Sequence, residues 1–398
     1  MEFVYEDILS GEFGNNLREV DAKGKTLDER ISSESKVGNN LFTSLDLKSH
    51  QAAHKALNKR KGAVVAIDIN DGSIVTLFSS PTFSTNQLAN GILQKDFDEL
   101  LLSEEKPFFN RALRGRYPPA SSIKPAIAMY GIEEGLIDWN FSIFDEGFFT
   151  LPEDGRIYRD WKEGGHGDTN LFKAITQSSN TYFFDLAYRS DINQLNKHLS
   201  SLGFGGKACI DCFEEDKVFV PEPSWKMNKH NFGWFKGDTV NMGVGQGYLV
   251  STPIQLAKYA YIMANKGKFS DLSLKKDLVK SEKSIEFNKF SNDDWFKLHE
   301  SMVNVIEGNT GTARRLREKK NYIVAAKTGT AELVSGDNRE QYSETRLDDS
   351  LRDHALIIAF GPMPNPRYAV SVVVENGESG GSVAGPVAIS VLNSLIQE

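Results

Sequence analysis

The sequence predicts a mixed α/β (α+β) fold: a central, mainly five-stranded antiparallel sheet flanked by helices, with a mostly helical subdomain inserted between its strands. Three observations predict it. Two strand-like runs stand early in the chain and three stand late. Apolar positions recur at helical spacing through the middle third. A short apolar helix pattern closes the chain. One antiparallel sheet assembled from both chain ends, with helices on its faces, is the economical solution.

In order, residues 1 to about 40 are polar and rich in turn formers (Gly11, Gly14, Asn15, Asn16, Gly24, Gly38, Asn39, Asn40), without a periodic apolar face. They read as an irregular arm or the remnant of another domain. Residues 42–59 read as a short strand followed by a helix. Gly62 to Ser80 is a hairpin: Val64-Val65-Ala66-Ile67-Asp68 and Ile74-Val75-Thr76-Leu77-Phe78 flank Asn70-Asp71-Gly72, where Asp-Gly supplies the positive φ angles. From Ser121 to about Lys268 the pattern is mostly helical, most clearly over 171–188 and 253–264. Residues 265–295, rich in Lys, Ser and Asp, read as an exposed excursion. Tyr322 to Ala326 reads as a strand leading into Lys327. His354–Phe360 and Tyr368–Val374 flank a Gly-Pro-Met-Pro-Asn-Pro turn, and a helix over roughly 384–396 ends the chain.

With 398 residues, 40% apolar and 25% charged, the chain can bury a large core. The length suits one large domain, 41–398, with an appendage. The net charge of −8 is spread among interspersed acids and bases, so no broad basic face is expected and nucleic acid is not an expected partner. No apolar run reaches the ~18–20 residues that a membrane helix needs, and no signal peptide opens the chain. The start, Met1-Glu2-Phe3-Val4-Tyr5, reads as mid-domain sequence behind an added methionine, which suggests a trimmed chain. The two cysteines, in Cys209-Ile210-Asp211-Cys212, fit a redox couple, half a zinc site, two packed thiols or a disulfide closing a very short loop. A local structural role is the expectation.

Three motifs carry chemistry: Ser121-Ser122-Ile123-Lys124, Ser178-Ser179-Asn180 and Lys327-Thr328-Gly329-Thr330. Together they supply a hydroxyl nucleophile, two amines able to move its proton, and an anion clamp, which is the equipment for acyl transfer through an ester on serine. S-x-x-K alone is weak, since it also begins at Ser33, Ser103 and Ser273. Only Ser121 follows Tyr117-Pro118-Pro119-Ala120 and precedes Pro125. The prolines hold the approach extended, and Pro125 is tolerable if Ser121 sits near a helix start. Lys124 then lies one turn on, the candidate base, provided burial or a nearby cation lowers its pKa.

Ser178-Ser179-Asn180 interrupts an apolar stretch, so its polar groups need partners if buried. Ser178 can relay a proton to a leaving amine, and Asn180 can hold Lys124 and a substrate amide. The blander reading, a helix cap, is the one expected for Ser84-Thr85-Asn86. Lys327 follows an apolar strand, where a charge needs a reason. Gly329 is expected to let a ligand backbone approach and pair with the strand. Thr328 and Thr330 can hydrogen-bond a carboxylate beside Lys327. The backbone N–H groups of Ser121 and Thr330 are the candidate oxyanion hole.

These motifs, their order and their surroundings resemble the penicillin-binding transpeptidase domain over nearly the whole chain from about Leu41. Gly62–Asp68, Asn110-Arg111-Ala112, Gly243-Val244-Gly245-Gln246-Gly247 with Thr252-Pro253, and Gly311-Thr312-Ala313 look like class B enzymes. Tyr158-Arg159-Asp160-Trp161-Lys162, Gly165-His166-Gly167, Trp234–Thr239 and Arg352-Asp353-His354 look like the elongation type, penicillin-binding protein 2.

The resemblance implies a penicillin-binding/β-lactamase-like fold. It implies a D,D-transpeptidase that cross-links peptidoglycan stem peptides during rod-shape elongation and is acylated by β-lactam antibiotics. It also implies a glycan polymerase of the elongation machinery as partner, and a place on the periplasmic side of the bacterial inner membrane, held by a single-pass N-terminal anchor outside this chain. Residues 1–40 would be the end of a membrane-proximal pedestal. No cofactor is required for this chemistry. The family does imply a candidate zinc site: Asp145, Asp160 and His166 match three ligands, but Ser179 stands where a cysteine would be the fourth, and a neutral hydroxyl is a far poorer zinc ligand. Otherwise these residues brace their loop by hydrogen bonds. Ala120 and Ala326 replace glycines usual in the family, with modest backbone adjustment expected. Rival readings on the same fold are a D,D-carboxypeptidase, a β-lactamase (disfavoured by the missing E-x-x-L-N pattern) and a β-lactam sensor (disfavoured by Asn180).

Overall fold

In a computed structural model, residues 2–278, 280–333 and 351–396 are described, so Met1 lies outside them. Helix α1 (Leu47–Leu57) is capped by Asp46, whose side chain accepts from the Ser49 amide. Strands β1 (Gly62–Asp68) and β2 (Ser73–Ser80) form the predicted hairpin, with Gly72 at φ 73° in its turn. From the other chain end come β3 (Ala325–Ala331), β4 (His354–Gly361) and β5 (Tyr368–Val374). They join into one five-stranded antiparallel sheet of order β3-β4-β5-β1-β2.

Both faces of the sheet are covered, which is why its strands read as continuous apolar runs rather than alternating ones. Val65, Ile67, Ile358 and Val373 point into one core, and Val64, Ala66, Ile357 and Val372 into another. The first core contains residues of α2 (Lys124–Glu133), α3 (Leu171–Gln177), α4 (Asn180–Arg189), α5 (Pro253–Ala264) and α6 (Asn292–Glu307); the second contains residues of α1 and α7 (Gly385–Ile396). At ~0.8 kcal/mol per buried methylene, these two layers supply the bulk of the stability.

Four expectations need correction. Residues 1–40 are not irregular: Asn15–Val20 pairs antiparallel with Thr26–Ser33, and every residue of both strands is exposed. With neither face buried within this chain, the hairpin carries no period to read. The 265–295 excursion is partly internal, since Leu272, Ser273 and Leu274 are buried and Ser273 bridges to Ser73. The late strand begins at Ala325 rather than Tyr322, so Lys327 stands inside it. The middle third also holds two small two-stranded ladders, Ser142–Asp145 with Gly167–Asn170 and Phe148–Thr150 with Ile157–Arg159. Strands of three or four mostly polar residues fall below any periodic signal.

Cys209 and Cys212 form a disulfide and both are buried. Between them Asp211 is buried, accepting from the Leu274 and Lys275 amides and from the Tyr5 hydroxyl at 2.6 Å. The pair thus closes a loop against which the start of the chain docks.

Candidate active site

Ser121 lies in a 3-10 turn, Ala120–Ile123, that runs directly into α2, with Lys124 and Pro125 as its first residues. The turn is tighter than the α-helical start expected. Tyr117 and Ser251 exchange backbone hydrogen bonds at 2.9 and 2.8 Å, which holds the approach extended. The Ser122 hydroxyl donates to the Pro119 carbonyl at 2.6 Å and pins the turn.

Ala120 sits at φ 50°, in the left-handed region, and its N–H donates to the Gly245 carbonyl at 2.8 Å. The expected modest adjustment is therefore a strained conformation, costing ~1–2 kcal/mol for a residue with a Cβ. A Cβ on Gly245 would stand 2.2 Å from the Ala120 carbonyl oxygen, so that glycine is required by the turn's own packing.

Lys124 is fully buried. Its Nζ donates to the Ser178 carbonyl and to Asn180 Oδ1, each at 2.7 Å, and lies 3.3 Å from Ser178 Oγ. Both near partners are oxygens that accept. A neutral amine has two hydrogens to give them and one lone pair left over, which is what a base for the hydroxyl of Ser121, three residues earlier in the same turn, requires. Burial pulls the Lys124 pKa down to about 7, against the Asp160 and Asp145 charges that hold it up.

The second motif is both cap and site. Helix α3 ends at Gln177, Ser178 takes the left-handed conformation at φ 61°, and Ser179 caps α4 by accepting from the Tyr182 amide. The outer residues, Ser178 and Asn180, face the lysines. Lys327 arrives from β3, fully buried, and its Nζ donates to Ser178 Oγ at 2.8 Å and to the Thr328 carbonyl at 3.1 Å. Burial, then the Lys124 charge, pushes the Lys327 pKa well below its ordinary value. The Ser178 hydroxyl therefore stands between two amines, as a proton relay must.

The rest of the third motif has partners within the chain. The Thr328 hydroxyl is engaged with the Thr312 hydroxyl at 2.7 Å, while Thr330 is exposed and its carbonyl accepts from Gln246 Nε2 at 3.4 Å. Gly329 faces the nucleophile turn: a Cβ there would stand 3.2 Å from the Pro119 carbonyl and 3.3 Å from the Ser122 amide. The missing side chain lets β3 lie backbone to backbone with the turn, so the two candidate oxyanion amides, of Ser121 and Thr330, belong to neighbouring backbones. Thr312 and Gln246 lie in segments legible as family-like, but nothing in the sequence gave either a role.

Asp145, Asp160 and His166 come together, with ligand atoms within 4.8 Å of one another. Asp145 accepts from the Gly147 amide at 2.8 Å and the Ser179 hydroxyl at 2.7 Å. Asp160 accepts from the amides of Asn180 at 2.6 Å, Thr181 at 3.0 Å and Lys162 at 3.1 Å, and faces His166 Nε2 at 3.3 Å. Burial pushes the Asp160 pKa up, but the His166 hydrogen bond, the Lys124 charge and the backbone donors outweigh it and hold the carboxyl below its usual range. Every carboxylate oxygen of the cluster already has a donor, and its fourth member is an alcohol. The set does not fit zinc. Trp161, next in the same loop, donates from Nε1 to the Ser178 carbonyl at 3.2 Å, a link that carried no signal in the sequence.

Residues 62–393 match the penicillin binding protein transpeptidase domain model. The chain is 39% identical to the peptidoglycan D,D-transpeptidase MrdA of Acinetobacter baumannii over 96% of its own length and 58% of that protein's. It is 33% identical to MrdA of Escherichia coli K12, covering 100% of this chain and 64% of that one. The chain thus spans less than two thirds of the length of these curated relatives. Among solved structures it resembles Pseudomonas aeruginosa PBP2 in complex with WCK 5153 (35% identity, TM-score 0.83, 93% of this chain and 79% of that one). It also resembles PBP2 in the complex with MreC from Helicobacter pylori (29% identity, TM-score 0.87, 99% and 71%).

Proposed function

The chain belongs to the penicillin-binding protein transpeptidase family, and from that membership we propose that it is the catalytic part of an elongation-type peptidoglycan D,D-transpeptidase. The observation that carries the proposal is the meeting of three distant motifs at one hydroxyl, with Lys124 and Lys327 both within 3.3 Å of Ser178 Oγ.

In the proposed reaction Lys327, with Thr330, receives the terminal carboxylate of a D-Ala-D-Ala stem peptide, and Thr328 is steadied by Thr312. Lys124, whose lowered pKa lets it shed its proton near pH 7, takes the proton of Ser121 as its oxygen attacks the penultimate carbonyl. The amides of Ser121 and Thr330 receive the oxyanion, a contribution worth ~3–4 kcal/mol per donor. Ser178, between the two lysines, passes the proton to departing D-alanine. An amine of a second stem peptide then attacks the ester. Asn180 holds Lys124 in place. β-Lactam antibiotics acylate Ser121 by the same route.

The Asp145–Ser179 and Asp160–His166 pairs serve as a hydrogen-bonded brace for the second motif, without metal. Residues 1–40 belong to a membrane-proximal pedestal. The full protein works on the periplasmic side of the inner membrane through a single-pass anchor, beside a glycan polymerase of the elongation machinery. No helix among the described residues is long and apolar enough to cross a membrane.

Incubating the chain with a donor stem peptide, with and without an acceptor peptide bearing a free amine, tests the proposal. Cross-linked product appearing only with acceptor supports it. D-Alanine release at the same rate in both arms, with no cross-link, makes the chain a carboxypeptidase instead.

A further inference from the structure

We infer that Trp161 forms one wall of the site for the acceptor amine, contacting the aliphatic arm that carries the incoming nucleophile. The inference rests on the transpeptidase reading and goes beyond it by naming the residue that favours an amine over water.

Trp161 is held at one edge and open on the other. Its indole N–H donates to the Ser178 carbonyl, the same oxygen that receives Lys124. Its ring lies 5.6 Å from that of His166. Yet 59% of its surface remains exposed. The loop behind it is rigid: Asp160 binds the first amides of α4, and Gly165, at φ 71°, packs where a Cβ would meet the Asp145 carbonyl at 2.1 Å. A large apolar ring pinned beside the catalytic relay and left uncovered is a preformed contact surface for a ligand.

The occupant follows from the direction of the chemistry. Ser178 gives the proton to the departing amine. Deacylation by an amine is the same step in reverse, so the acceptor enters past the same hydroxyl. The acceptor ammonium first gives one proton to water; the neutral nitrogen then bonds to the ester carbon, the carbon–oxygen bond to Ser121 breaks, and the remaining proton returns through Ser178 and Lys124 to the Ser121 oxygen. An acceptor is a flexible aliphatic chain ending in an amine that is cationic until it reacts. A flat indole suits both parts, by apolar contact along the chain and by attraction of the cation to the ring face. Water gains nothing from such a wall.

The test is the partition of one intermediate. A thioester analogue of the donor peptide acylates the chain, and an acceptor peptide with a free side-chain amine competes with water. Both products arise from the same acyl-enzyme, so a change in acylation rate cancels from their ratio. Trp161→Ala lowers the ratio of cross-linked to hydrolysed product at least tenfold, while Trp161→Phe, which keeps a ring but loses the donor, stays within threefold of the parent. Should the alanine variant fail to form acyl-enzyme, Trp161→Leu replaces it and the same drop is expected. A ratio unchanged in the alanine or leucine variant, or one that falls as far in the phenylalanine variant, overturns this inference alone. A parent chain that forms no acyl-enzyme overturns the transpeptidase reading and this inference with it.

Discussion

Lys327 and Ser178 are separated by 149 positions in sequence and meet at 2.8 Å, where both residues are buried. With Lys124 also 3.3 Å from that hydroxyl, two amines share one partner. Two like charges this close disfavour each other, so the pair holds at most one easily tolerated proton. The proposed reaction draws on that sharing.

The pH dependence follows. Lys124, pulled down to about 7, can act as the proposed base only when deprotonated. The second-order rate of acylation by a penicillin rises about tenfold per pH unit below that value and levels above it. The folded chain binds fewer protons here than the unfolded chain between about 7 and the ordinary lysine value of ~10.4, so this group's effect on stability becomes more favourable as pH rises through that window. Lys124→Arg, which cannot deprotonate, loses the acylation. A flat pH profile in the parent would contradict the assignment.

Ser178→Gly separates chemistry from structure. Glycine suits φ 61° better than serine, which offsets the added freedom of the unfolded chain and the lost partner of Lys327 Nζ, so stability changes by no more than ~2 kcal/mol. Losing the hydroxyl between the lysines costs ~100-fold or more in turnover. Melting curves alongside acylation kinetics check both halves.

The strained residue before the nucleophile makes the opposite case. Ala120→Gly relieves the left-handed conformation but adds freedom to the unfolded chain, so the net change stays within ~1 kcal/mol. Ala120→Val puts a branched side chain in the same buried conformation and costs more than ~2 kcal/mol. Chemical denaturation measures both.

The brace predicts how the chain responds to metal. Chelation with EDTA leaves the melting temperature unchanged, because the Asp145 and Asp160 oxygens are satisfied by protein donors. Ser179→Ala removes both a helix cap and a donor to buried Asp145, costing ~1–3 kcal/mol. Ser179→Cys supplies a thiolate and makes the melting temperature zinc-dependent. A parent that melts lower in EDTA would contradict the brace.

What the sequence made legible follows from how each element is stabilised. The β1–β2 hairpin announces itself because Asp71-Gly72 is a turn signal and closes the turn over residues 69–72, with Gly72 alone at positive φ, and the buried strands read as apolar runs. Ser84 caps its short helix as its residue type suggests. Lys327 stood out because a charge in an apolar strand has to be explained. The exposed hairpin over 15–33 and the short ladders around Asp145 and His166 stayed hidden, since nothing periodic holds them. Thr312, Gln246 and Trp161 are placed by contacts across long separations, which residue type alone does not reveal. Gly329 was noticed for its missing side chain, and the backbone of Pro119 and Ser122 lies close against it.

Intact-protein mass spectrometry after exposure to a penicillin, on the parent and on Ser121→Ala, tests the central claim most directly. The parent gains the mass of one ring-opened penicillin, stably, and the variant gains none. An adduct that persists on the variant would contradict the assignment of Ser121 and, with it, the site built around that hydroxyl.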